Sequence, residues 1–159
     1  MVAVSVRGHA AGKAEPPSAM ASLAKEFHVS WLVQYHAPLA VVETEFRDSL
    51  SPTELVAAVR DAVAVARAHG AHLFLADCLR LTGGHSVFDL FALAERLPEL
   101  GLPRGSREAL IMPSAPGAAF DAEFWETVCR NRGFEVRGFT SREQALAWLA
   151  NTTATADFA

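Results

Sequence analysis

Residues 51–78 read SPTELVAAVRDAVAVARAHGAHLFLADC, and the spacing of their apolar side chains changes partway through. Up to residue 69 the spacing is helical: Leu55, Val59, Ala62, Val63 and Ala66 fall on one stripe. The start of that helix is written into Ser51-Pro52-Thr53-Glu54. The Ser51 hydroxyl can accept from the backbone N–H of Glu54 while the Glu54 carboxylate reaches back, and Pro52 occupies the first helical position, where its missing N–H costs nothing. Gly70 ends the helix, and HLFLADC (72–78) follows as a short apolar run of strand length. A capped helix feeding a buried strand is the unit from which parallel α/β sheets are built.

The flanking segments extend this pattern. Upstream, FHVSWLVQY (27–35) places Phe27, Val29, Trp31, Val33 and Tyr35 on one face of a strand. Ala37-Pro38 turns the chain into LAVVETEF (39–46), with Ala40, Val42 and Phe46 on one face. Glu43 and Glu45 point the other way, at the spacing of a solvated face. The short connection predicts an antiparallel pair. Downstream, Ser86 and Asp89 open a second helix with Leu90, Leu93, Ala94 and Leu97 inward and Gly101 at its end. REALIMP (107–113) is a strand stopped by Pro113, and AAFDAEFWETVCRNRG (118–133) is a helix. FEVRGF (134–139) is a strand, and Thr140 with Glu143 caps a last helix carrying Ala145, Leu146 and Leu149.

The order ββαβαβαβα predicts an α/β fold: a single mixed, mostly parallel sheet of about five strands, an antiparallel first edge strand and about four helices. Residues 1–22 read as a flexible leader, with VAVSV (2–6) as an alternative edge strand; 23–151 form the domain and 152–159 a frayed tail.

Composition narrows the function classes. Of 159 residues, 51% are hydrophobic and 20% charged, as in a globular domain with a real core. A formal charge of −4 with no Lys/Arg run argues against nucleic acid. No stretch approaches the ~18 apolar residues of a membrane span, so membrane insertion is not expected. Cys78 and Cys129 fit no zinc spacing and read as free thiols in a reducing cytoplasm, and no cofactor is implied.

In an open parallel sheet, ligands bind beyond the C-terminal ends of the strands. That edge would gather Asp48 and Ser49, Asp77 at the end of its strand, Thr82, Gly83, Gly84, His85 and Ser86, then Ser114 and the Thr140-Ser141 pair. The Gly83-Gly84 turn before a helix offers free backbone N–H groups to an anion, yet it matches neither GxGxxG nor the P-loop. Asp77, His85 and Ser86 are poor candidates for a nucleophilic site, because the adjacent side chains of His85 and Ser86 diverge at a helix start. His28 and His36 lie ~27 Å apart along a strand, too far for one metal. Trp31, Trp125 and Trp148 read as core, or as the lining of a pocket.

From Phe27 to Leu149 the chain resembles the STAS family of sulfate-transporter and anti-sigma-factor-antagonist domains, most of all its SpoIIAA-like branch. The residues that carry this are EFRDSLSPTELVAAV (45–59), LFLADCLRL (73–81) and VRGFTSREQALAWL (136–149), whose Phe139-x5-Ala145-x2-Trp148-Leu149 resembles the family's ending. The resemblance implies a non-catalytic regulatory protein that binds a protein partner, a kinase or anti-sigma-type regulator, with a homodimer as a further assembly. In antagonist members a Ser or Thr opening the second helix is phosphorylated; here that position is Ser86, and the family's Asp-Ser-Ser-Gly type motif is replaced by Gly84-His85-Ser86-Val87. The fold is also likened to lipid-carrying CRAL-TRIO domains. The second expectation is therefore a carrier or sensor of a lipid or anion in the same cleft, and the third a small α/β enzyme.

Overall fold

A computed structural model describes residues 5–9 and 29–151. They form one six-stranded sheet whose strands lie side by side in chain order: β1 (Ser5–His9), β2 (Val29–His36), β3 (Val41–Ser49), β4 (Leu73–Gly83), β5 (Arg107–Ile111) and β6 (Glu135–Phe139). β1 and β3 both pair antiparallel with β2, and β3 through β6 run parallel. The helices are α1 (Pro52–His69), α2 (Val87–Arg96), α3 (Pro116–Arg130) and α4 (Arg142–Ala150). The architecture read from the sequence is the one observed, with one strand added. Residues 5–9 of the expected leader pair with β2, Gly8 lying opposite Trp31. The rest of that leader and the tail from 152 onward lie outside the described residues, as does His28.

Two of the three caps read from the sequence are present. Ser51 Oγ accepts from Glu54 N at 3.2 Å and Glu54 Oε2 accepts from Ser51 N at 2.7 Å; Gly70 closes α1 in the left-handed region at φ 63°. Ser86 and Asp89 form the same box on α2. At α4 the N-cap is Ser141, which accepts from Gln144 N, and not Thr140.

Right-handed crossovers between strands laid down in order carry α1, α2 and α3 onto one face. The main core lies there: Val33, Val42, Phe74, Leu110 and Val136 of the sheet meet Leu55, Ala58 and Ala66 of α1, Leu90 and Leu93 of α2, and Val128 and Cys129 of α3. α4 returns over the opposite face, packing Ala145 and Leu149 on Val41, Leu75, Ala109 and Ile111.

Two non-glycine residues have positive φ: Ala40 at 52°, in the turn between β2 and β3, and Asp48 at 58°, where the β3–β4 register shifts. Ala40 thus belongs to the turn, not to the strand face expected for it. Left-handed backbone costs alanine about 1–2 kcal/mol, partly offset by the greater freedom of an unfolded glycine. Ala40→Gly should therefore raise stability by about 0.5–1 kcal/mol in a urea titration.

Candidate functional site

The loops after β3 and β4 form one structure at the C-terminal edge of the sheet. Leu50 N donates to the Gly83 carbonyl at 2.9 Å, His85 Nδ1 lies 3.1 Å from the Leu50 carbonyl, and Ser49 pairs with Gly83. Gly84 packs so closely that a β-carbon there would overlap Ser49 Oγ and stand 2.5 Å from the Leu50 carbonyl. Asp48, Ser49, Thr82, Gly83, Gly84, His85 and Ser86 are thus brought together as the sequence suggested. Ser114 is tied instead to β4 further back, where its N–H donates to the Leu79 carbonyl at 3.4 Å.

Asp77 does not join them. β4 runs past it to Gly83, because its pairing with β3 resumes after the register shift as Arg47↔Arg80 and Asp48↔Leu81. Strand alternation then turns Asp77 with Leu75 toward the α4 face, away from Ser86, and its Oδ1 accepts from Leu79 N at 3.1 Å. Ser86 is also engaged: its Oγ donates to Asp89 Oδ2 at 2.8 Å, and its N–H donates to the same oxygen at 2.7 Å. The backbone hydrogen bond from Ser86, and then that from its side chain, hold the Asp89 carboxyl below its ordinary pKa.

Glu43 corrects the reading of a solvated acidic face. It is 8% exposed, with Arg142 Nη2 at 2.7 Å from Oε2, Arg142 Nη1 bonded to Oε1 and His36 Nε2 2.5 Å from Oε2. Burial alone would raise the Glu43 pKa, but the hydrogen bonds and charges of Arg142 and His36 outweigh it and hold the carboxyl below the usual range. The signal was tertiary: α4 brings Arg142 from 99 residues away.

The groups that sequence reasoning missed sit on the main-core face. Glu108, on β5, lines two cavities of about 60 and 80 Å³ between the sheet and α1–α3, and both are bordered by Phe46, Val59, Ala76 and Trp125 as well. Trp125 Nε1 donates to Glu108 Oε1 at 2.7 Å. The Glu108 side chain keeps some accessible surface, but protein surrounds it densely, and desolvation, only partly opposed by the Trp125 bond, pushes its pKa up from 4.5 to about 7. Cys129 borders the first cavity and Cys78 the second as free thiols, both pushed up by burial, so neither is poised as a thiolate. His85 and Leu90 border the second cavity, so the turn and α2 form part of its wall.

Among the described residues no group of three or more His, Cys, Asp or Glu is placed to hold a metal ion, and no helix is long and apolar enough to cross a membrane. No family model, curated protein or solved structure matches this chain.

Large apolar side chains stand in solvent beside the turn. Phe88, in the first turn of α2, is 81% exposed, and Phe91 lies three residues on, with the Arg132 guanidinium 4.6 Å from its ring centre. Leu79 and, on the packed neighbour α3, Phe120 are also exposed.

Proposed function

We propose that this chain is a non-catalytic regulatory domain of STAS type that works by docking a protein partner on the 82–91 turn and the outer side of α2. The observation that carries this reading is the exposure of Phe88, 81%, on a turn held rigidly by its neighbours. A largely solvated Phe beside a second exposed aromatic is the kind of anchor that protein interfaces bury. Binding is favoured over catalysis because the candidate polar groups are already engaged with one another: Ser86 with Asp89, and His85 with the Leu50 carbonyl. The element order and the position of Ser86 at the cap of the second helix support the STAS resemblance, and with it a kinase or anti-sigma-type partner in the cytoplasm.

Ser86 is exposed, and phosphorylation there would act through local electrostatics. A phosphate adds roughly two negative charges, which the helix N-terminus favours and the adjoining Asp89 carboxylate opposes. The capping box would open, and the turn that presents Phe88 would be reset.

Phe88→Ser should leave stability within ~0.5 kcal/mol of the parent, since the side chain is exposed. The same change should abolish capture of the partner from a lysate of the protein's own cells, read by isotope-labelled mass spectrometry. Retention of every captured protein by the variant would reject the docking role.

A further inference from the structure

We propose that the groove along the outer edge of β6 is a binding site for a small organic carboxylate, a single negative charge on an apolar body, with Arg107 and Arg137 as its anchors. The groove opens between the end of α3 and Trp148 of α4, and no residue of α2 lines it, so it is separate from the docking surface.

Arg107 is held in place with donors unmet. Its guanidinium lies 4.0 Å from the centre of the Trp148 ring, and its side chain is only 13% exposed. Nε and Nη1 are buried and have no hydrogen-bond partner among the described residues. Glu135 Oε2 comes within 2.5 Å of Nε, a charge contact without the alignment of a hydrogen bond. Buried donors left unmet are rare and costly. The Glu135 side chain is 64% exposed, so the carboxylate that covers Nε is free to swing into water and yield its place to another.

Arg137 supplies the second anchor. Arg107 pairs with Glu135 and Ala109 with Arg137, so both arginines project from the α4 face of neighbouring strands, one alternation apart. Arg137 is exposed, meets no carboxylate among the described residues, and lies 5.6 Å from the centre of the Phe139 ring.

Charge and shape narrow the class. Arg107, Arg130 and Arg137 line the groove against Glu126 and Glu135, which leaves one positive charge in excess. Glu126 is fully engaged: Oε1 accepts from Arg130 Nη1 at 3.2 Å and Oε2 from Gly138 N at 3.1 Å. One excess charge suits a monoanion, and a planar carboxylate matches the guanidinium fork. The opening, about 710 Å³, has the size of small-molecule sites, and Phe134, Val136 and Trp148 give it an apolar wall. A peptide added as a strand is disfavoured, because α3 already occupies this edge at two places. The Cys129 carbonyl accepts from Phe134 N at 3.1 Å, and Glu126 accepts from Gly138 N.

The test is a titration of the ¹⁵N-labelled full chain with benzoate, its neutral isostere benzamide, and inorganic phosphate, following the indole Nε1–H signals of the three tryptophans. Benzoate should move the Trp148 signal and leave those of Trp31 and Trp125 in place. Benzamide should bind about tenfold more weakly, the loss of a charge-assisted hydrogen bond, and phosphate, which lacks an apolar body, should leave the signal unmoved. Arg137→Gln, at an exposed position, should weaken benzoate about tenfold, and Glu135→Gln, which uncovers Arg107, should tighten it several-fold. Three results would overturn the proposal: a Trp148 signal unmoved by benzoate up to ~10 mM, equal affinity of the parent chain for benzoate and benzamide, or benzoate affinity unchanged in both variants. The first two are read on the parent chain, so the test holds even if a variant does not fold, and none bears on docking at Phe88.

Discussion

Gly84→Val should lower the stability of the domain by about 4 kcal/mol, the sum of a strained backbone and a close contact with no room to relax. Gly84 has φ 96°, a region side chains rarely enter, and its missing β-carbon faces Ser49 Oγ, the Leu50 carbonyl and the Leu50 N–H, all within 3 Å. Two of those three atoms belong to a backbone pinned by the Leu50–Gly83 hydrogen bond. Gly83 is the internal control. Its φ is 130°, but a β-carbon there meets nothing within 4 Å. Gly83→Ala should therefore cost only the backbone strain, about 1–2 kcal/mol, and Gly84→Ala distinctly more. Equal losses at the two positions in chemical denaturation would mean that the loops after β3 and β4 are not packed together.

The second large effect concerns pH. The Glu108 carboxyl is raised from 4.5 to about 7 in the folded chain by desolvation. Between these values the unfolded chain has lost the Glu108 proton and the folded chain still holds it, so stability falls as pH rises. Its contribution is complete below about pH 4.5, declines through the window, and is lost above about pH 7, a difference of about 3 kcal/mol at 1.36 kcal/mol per pH unit. Glu43 works in the opposite direction at lower pH: its depressed carboxyl adds stability above 4.5 that is lost as pH falls through its folded value. Glu108→Gln keeps an acceptor for Trp125 and cannot ionise. The variant should match the parent near pH 4.5 and exceed it by about 3 kcal/mol at pH 8. Parallel stability profiles of parent and variant from pH 4.5 to 8 would show that the carboxyl is not enclosed.

The parts of the fold that the sequence made legible are those set by local chemistry. Ser51 and Ser86 each have an acid three residues on, which specifies a helix start whatever surrounds it. Thr140 and Ser141 are adjacent hydroxyls, and only the path of the chain out of β6 selects Ser141 as the cap. The extension of β4 beyond Asp77 depends on a register shift opposite β3, and the burial of Glu43 depends on α4 coming back across the sheet. Neither leaves a mark in the neighbouring residues. Glu108 illustrates the difficulty most clearly. Arg107 and Glu108 are consecutive polar residues, so one must face each side of the sheet; a strand covered on both faces buries polar groups on both, and REALI looks like any strand entry. The turn at 82–86 was legible as a place, since it follows a parallel strand and precedes a cap. Its apolar neighbours were not, because Phe88 and Phe91 carry no sign of which side of α2 the sheet leaves uncovered.

The central claim, that the outer side of α2 docks a protein partner, is tested most directly by photo-crosslinking in cells. A benzophenone amino acid is placed at Phe88 and, as a control, at Leu39, an exposed apolar residue in the turn between β2 and β3. Docking there predicts a discrete adduct of defined mass from position 88, absent from position 39 and weakened by Ser86→Asp. No adduct at position 88, or the same adducts from both positions, would contradict it.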